Sequence, residues 1–224
     1  MVKRDKPIMM KERLAKKIFL KFVTGELSSR EFWEMYKQDE SLRNVLVYDK
    51  RKNKVMKSKW GDGNYLFYRP EAMEPLKREE LISKINIDLL QDRCYLFTAV
   101  KHFLEERGIR IKPSDYNEDM KESLFLEEML PEWVEVYDIG FLQNIFASAP
   151  AGTKQEKLEW CKQEVLRLFR YETKPPEWWQ GADWPIVNGK PLVFRRQEEA
   201  EEGFERYYFY DPDSGEEKII EQVE

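Results

Sequence analysis

The tripeptide Lys174-Pro175-Pro176 divides this chain into two regimes that no single type of secondary structure can span. Proline fixes φ, lacks an N–H and pushes the preceding residue out of the helical region, so paired prolines stop a helix. Before them, apolar residues recur at helical spacing. After them, residues 175–191 hold four prolines, three tryptophans and two glycines.

The first regime reads as a series of helices. Over 8–23, Leu14, Ile18 and Phe22 repeat at i, i+4 and i+8, and Phe19 widens the stripe. Gly25 ends that helix. Ser28 and Glu31 have the spacing of a capping box for a second helix, whose apolar surface is Phe32, Trp33, Met35 and Tyr36. A third, over 41–47, carries Leu42, Val45 and Leu46. Residues 49–64 lack periodicity and end in Trp60-Gly61-Asp62-Gly63-Asn64, a loop. Tyr65-Leu66-Phe67-Tyr68 is a short strand or an aromatic plug, and Pro70 and Pro75 follow it. The best-defined helix spans 87–107, with Asp88 as its cap and Gly108 as its stop. Leu89, Leu90, Phe97, Val100, Phe103 and Leu104 share its broad face with Cys94. Ser114 or Asp115 opens the next, which carries Leu124, Leu126, Met129 and Leu130 up to Pro131. Phe141, Leu142, Ile145 and Phe146 mark another. Thr153 and Glu156 form a second capping box, for a helix to about residue 171 that carries Leu158, Cys161, Val165, Leu168 and Phe169.

The second regime reads as a small sheet. Leu192-Val193-Phe194 is a strand, residues 204–210 (FERYYFY) alternate loosely, and Asp211-Pro212-Asp213-Ser214-Gly215 is a turn before Ile219 and Ile220. Asn188-Gly189 is a further turn pair. The expected fold class is α+β, mostly α: a helical N-terminal body over 1–174 with a small C-terminal antiparallel β-meander, within 175–224, packed on it. One compact unit is expected, since about 45 residues bury little surface alone.

Charge is spread unevenly. Residues 1–60 hold 17 Lys and Arg against 8 Asp and Glu, and residues 61–224 hold 21 against 35, for the overall net of −5. No apolar run reaches the roughly 18 residues a membrane helix needs. The start, MVKRDKPIMMKERLAKK, has no apolar stretch of the kind a secretory signal carries. Two cysteines, Cys94 and Cys161, point to buried thiols in a reducing cytoplasm.

Familiar catalytic patterns are missing. His102 lies within a helix, and Cys161 lies in an amphipathic stripe, so both read as structural. No Cys/His spacing suits zinc, no glycine-rich phosphate loop is present, and no metal or cofactor is expected. The 43 Asp and Glu single out no catalytic pair, although an enzyme working through carboxylates alone stays open.

Binding is better supported than catalysis. Trp178 and Trp179 sit just before the acidic run Glu198, Glu199, Glu201, Glu202 and Glu205. Aromatics bury much area at low entropy cost, and acidic charge suits a basic protein partner. The same tryptophans, with Trp184, can instead clamp the sheet to the helices. A second surface is the basic stretch Lys50, Arg51, Lys52, Lys54, Lys57 and Lys59, which suits phosphates, an acidic region of the same chain, or a second copy in a homodimer.

The segment Trp184-Pro185, then Gly189-Lys190-Pro191-Leu192 through Phe194 and Gln197, then Tyr207 to Tyr210 and Asp211 to Gly215, resembles the C-terminal part of poorly characterised bacterial cytosolic proteins. Several of these look like immunity proteins of polymorphic toxin systems. The likeness covers about 50 of 224 residues. Taken with the missing catalytic constellation and the acidic aromatic segment, it points to a non-enzymatic, cytoplasmic protein that blocks a toxin, a basic toxin domain being the partner the acidic charge suits; no membrane association is expected. It implies no catalytic residue. Nucleic-acid binding through the basic stretch is the alternative. That alternative predicts retention on DNA or RNA at low salt that falls steeply as salt rises, and absence of retention in a filter-binding assay removes it.

Overall fold

The computed structural model describes residues 6–47, 82–136, 138–182, 184–201 and 203–223. The chain divides into two compact units, Met1–Ser123 and Leu124–Glu224. The loop at 60–64, Tyr65–Tyr68 and the basic stretch from Lys50 to Lys59 lie outside the described residues.

In the first unit, α1 (Lys6–Val23), α2 (Ser29–Gln38), α3 (Glu40–Val47) and α4 (Leu90–Glu105) precede a 3-10 turn at Pro113–Asp115 and the start of α5 (Glu118–Glu128). The buried stripe of α1 is Ala15, Phe19, Phe22 and Val23, with Ile18 partly covered. Leu14 is 59% exposed, so the expected stripe is corrected by about one residue. Small Ala15 permits close approach, and the rotation puts both phenylalanines inside, which removes more apolar area from water than Leu14 would. The Phe22 ring stacks on Phe32 at 4.2 Å, and Phe19 meets Phe103 edge-on at 5.0 Å. Phe97, Leu96, Val100 and Leu104 of α4 complete this core with Leu42 and Leu46 of α3.

The capping box of α2 is present: Glu31 N–H donates to Ser28 Oγ at 3.3 Å, and Ser28 N–H donates to Glu31 Oε2 at 2.9 Å. Asp88, in contrast, does not cap α4. Leu89 holds the cap position with no side-chain hydrogen bond, because the Asp88 carboxylate is taken by Arg30 at 2.6 Å. Gly108 ends α4 as expected. At φ +77° it lets Ile109 N–H reach Leu104 O at 3.0 Å while its own N–H reaches Glu105 O at 2.9 Å. Neither Ser114 nor Asp115 opens the next helix, since Pro113 draws both into the 3-10 turn. Asn117 does so, accepting Met120 N–H at 3.0 Å. Beside it, Asp119 accepts from Arg93 Nε at 2.7 Å and from the buried Ser29 hydroxyl, tying α5 to α4 and α2.

In the second unit, α6 (Ile139–Ser148) and α7 (Lys154–Leu168) share one core with five strands. The change of character at 174 is thus a change of secondary structure inside this unit. The Thr153–Glu156 capping box of α7 is present. The helix ends at Leu168, short of 171, because Phe169 leaves helical geometry and Arg170 O accepts Phe194 N–H at 2.9 Å. A two-residue hairpin, β1 (Ile186–Val187) and β2 (Lys190–Pro191), turns at Asn188 (φ 51°) and Gly189 (φ 72°), the left-handed pair a type I′ turn requires. Then β3 (Val193–Glu201), β4 (Phe204–Tyr210) and β5 (Glu217–Val223) form an antiparallel sheet in that order. Leu192 stands outside β3 because its N–H donates to Pro185 O at 2.9 Å. The architecture is α+β, mostly α, with the antiparallel sheet at the C-terminal end.

Replacing Phe22 by Ala removes a fully buried ring and should lower stability by about 3–5 kcal/mol. Leu14→Ala on the same helix should stay within about 0.5 kcal/mol. Urea unfolding of the two variants reads the difference and locates the stripe.

Candidate protein-interaction surface

Strand alternation gives the C-terminal sheet two unlike faces. Along β4, Glu205, Tyr207 and Phe209 point to the buried side, and Phe204, Arg206, Tyr208 and Tyr210 to the other. On the buried side the Trp178 indole stacks on Tyr207 at 4.5 Å and on Phe209 at 6.0 Å, and its Nε1–H donates to Trp133 O at 3.0 Å. Trp178, expected as a partner residue, is therefore half-buried and used by the fold. Trp179 differs. Its backbone N–H is held by Tyr207 Oη at 2.9 Å and Gln222 Oε1 at 3.0 Å, while its side chain is 43% exposed. Burial pushes the Tyr207 hydroxyl pKa up, keeping it protonated to donate to Glu177 O at 3.1 Å. Gln197 binds the neighbouring backbone. Its Oε1 accepts Glu177 N–H at 2.7 Å, and its Nε2 reaches Glu177 O at 3.2 Å and the buried Glu205 carboxylate at 2.9 Å.

The opposite face carries ion pairs laid over aromatic rings. The Arg196 guanidinium lies 4.0 Å from the Tyr208 ring centroid, and the Tyr208 hydroxyl donates to Glu198. That hydrogen bond, followed by the attraction of Arg196 and Arg206, holds the Glu198 carboxyl below the usual glutamate range. Arg206 pairs with Glu221 at 2.7 Å, and Arg195 covers Tyr210 at 4.6 Å while pairing with Glu172 and Glu217. Glu198 is thus already neutralised within the sheet. Glu199 is exposed but stands opposite Glu205, and so belongs to the other side of the sheet. Glu201 ends β3, and Glu202 lies outside the described residues.

Three exposed apolar residues on this face were not among the binding residues expected from the sequence. Phe204 and Val223 stand opposite each other across β4 and β5, 43% and 45% exposed, and Ile219 beside Tyr208 is 49% exposed. Strict alternation within FERYYFY and EKIIEQV would have placed them there.

A groove of about 450 Å³ opens between α6, α7 and the tip of the β1–β2 hairpin. Phe141, Ile145 and Trp160 line it with Asp138, Asn144, Glu164 and Gly189. The Asp138 carboxylate caps α6 through Phe141 N–H at 3.1 Å. Glu164 accepts a forked pair of hydrogen bonds from Arg167, at 2.8 and 2.5 Å, and these hold its carboxyl below the usual range.

Elsewhere, His102 pairs with Glu106 at 2.6 Å, and the Cys94 thiol lies 3.5 Å from Asp119 O. Cys161 is fully buried, which pushes its thiol pKa up. Among the described residues, no group of three or more His, Cys, Asp or Glu could hold a metal ion, and no helix is long and apolar enough to cross a membrane. The two units differ in charge balance, although the basic excess itself lies in residues 1–60. The first unit has 27 Lys and Arg against 21 Asp and Glu, and the second 11 against 22. Compared with protein families, curated proteins and solved structures, the chain finds no match.

The lowered pKa of Glu198 has a signed consequence. Its pairing with Tyr208 stabilises the sheet above the ordinary glutamate range, and this contribution is lost as pH falls through the depressed folded value. Wild type should therefore exceed Glu198→Gln in stability at pH 7, and the gap should close toward pH 3 in urea titrations at the two pH values.

Proposed function

We propose that this chain is a non-enzymatic protein-binding protein, in its most specific form an immunity-type inhibitor that covers the surface of a bacterial toxin in the cytoplasm. The observation that carries the reading is the solvent-facing side of the C-terminal sheet. Phe204, Ile219 and Val223 are exposed there among charged residues that are paired with one another. Protein interfaces have this anatomy of apolar anchors within a polar surround. Trp179 adds a further exposed aromatic in the same unit. The unit's excess of 11 acidic residues attracts a basic partner at long range and favours association over encounters with acidic surfaces.

The test is capture from source-cell lysate with the tagged full-length chain, alongside Phe204→Asp and a Glu198→Lys/Glu199→Lys double variant. One stoichiometric protein partner should survive moderate salt with wild type. Its retention should fall about tenfold or more with Phe204→Asp, in line with loss of an interface anchor. Equal retention by all three proteins overturns the surface assignment. Recovery of nucleic acid alone, washing off as salt rises, replaces this reading with the basic stretch.

A further inference from the structure

The groove beside α7 has a composition that selects its ligand. Its walls are aromatic and aliphatic, from Trp160, Phe141 and Ile145, and its charged lining is Asp138 and Glu164, with no lysine or arginine. A guanidinium is planar, weakly hydrated and able to stack on an indole while its edge meets a carboxylate. The structure already contains the carboxylate half of such a contact. Arg167 binds Glu164 through two parallel hydrogen bonds, yet the Arg167 side chain remains 68% exposed. Because this is an exposed pair between residues three apart on one helix, its net contribution is modest, and an incoming guanidinium can compete for the Glu164 carboxylate.

We infer that this groove is a subsite for an arginine side chain of a protein partner. Its methylene stem would lie against Trp160 and Phe141, with its guanidinium between Glu164 and Asp138 and Arg167 displaced toward solvent. This inference rests on the protein-binding reading for the identity of the ligand, although the groove is a separate place from the sheet face. The acidic balance of the second unit makes a basic partner the occupant that its charge favours.

The test titrates N-acetyl-arginine amide into the full-length protein and follows indole N–H signals by NMR, with Trp160→Phe identifying the relevant resonance. N-acetyl-citrulline amide is the uncharged isostere. The arginine probe should perturb the Trp160 signal saturably, with a Kd in the roughly millimolar range of a single side chain, and the citrulline probe should not. Glu164→Gln and Asp138→Asn should each weaken binding several-fold, and asparagine keeps the α6 cap. Arg167→Ala removes the internal competitor and should tighten binding about two- to fivefold. Equal response to both probes, no response to arginine, or affinity unchanged in the two carboxylate variants overturns the inference. If lysate capture yields a partner that the Glu164→Gln/Asp138→Asn double variant retains as well as wild type, the arginine subsite is overturned while the protein-binding reading stands. Saturable arginine binding with no captured protein supports the subsite and fails that reading.

Discussion

The burial of the Trp184 indole is the contact on which the second unit depends. Its ring lies 5.5 Å from Trp133, 5.6 Å from Phe169 at the end of α7, and 5.2 Å from Phe209 in β4. Its Nε1–H is satisfied by Leu192 O at 2.9 Å. A large ring with one polar atom can sit in a core only where that atom finds a partner, and here the partner is the backbone just before β3. One side chain therefore joins the helices to the sheet and fixes where the sheet begins. The prolines around it, Pro185 and Pro191, keep that stretch out of helical geometry.

From this junction follows the division of the sheet into a buried and a solvated face. The buried face must satisfy the polar atoms it takes in. Gln197 serves Glu177 and Glu205, and Gln222 accepts the N–H groups of Trp179 and Gln180. Trp178 is drawn inward to stack on Tyr207, and Trp179, the next residue, is left outward. The face opposite escapes that constraint. There, guanidinium groups cover aromatic rings, and Phe204, Ile219 and Val223 keep much of their surface in solvent.

Local chemistry was the part of the fold legible in the sequence. The capping boxes at Ser28 and Thr153, the stop at Gly108 and the turns at Asn188-Gly189 and Asp211–Gly215 depend on residues within a few positions of one another. Misreadings arose where a distant residue competed. Asp88 has the chemistry of a cap, but Arg30, far away in sequence, claims its carboxylate. Leu14 has the spacing of a core residue, but the fit of Phe19 and Phe22 against α2 and α4 turns the helix away from it. Among the expected binding residues, Glu198 sits in an acidic run yet is paired within the sheet, since residues ten apart meet across a hairpin. Trp160 and Glu164 carried no signal along the chain, because the groove they line forms only when the hairpin tip reaches α6 and α7.

The sequence by itself determined the succession of helices and then strands, the helix caps and turns, and the opposite charge balance of the two halves. Each follows from short-range spacing or simple counting, which folding does not alter. Tertiary structure alone decided which tryptophan faces inward, which carboxylates are already paired and where an open groove remains. Those outcomes depend on long-range packing and on competition for hydrogen-bond partners, and both exist only once residues far apart in the chain have been brought together.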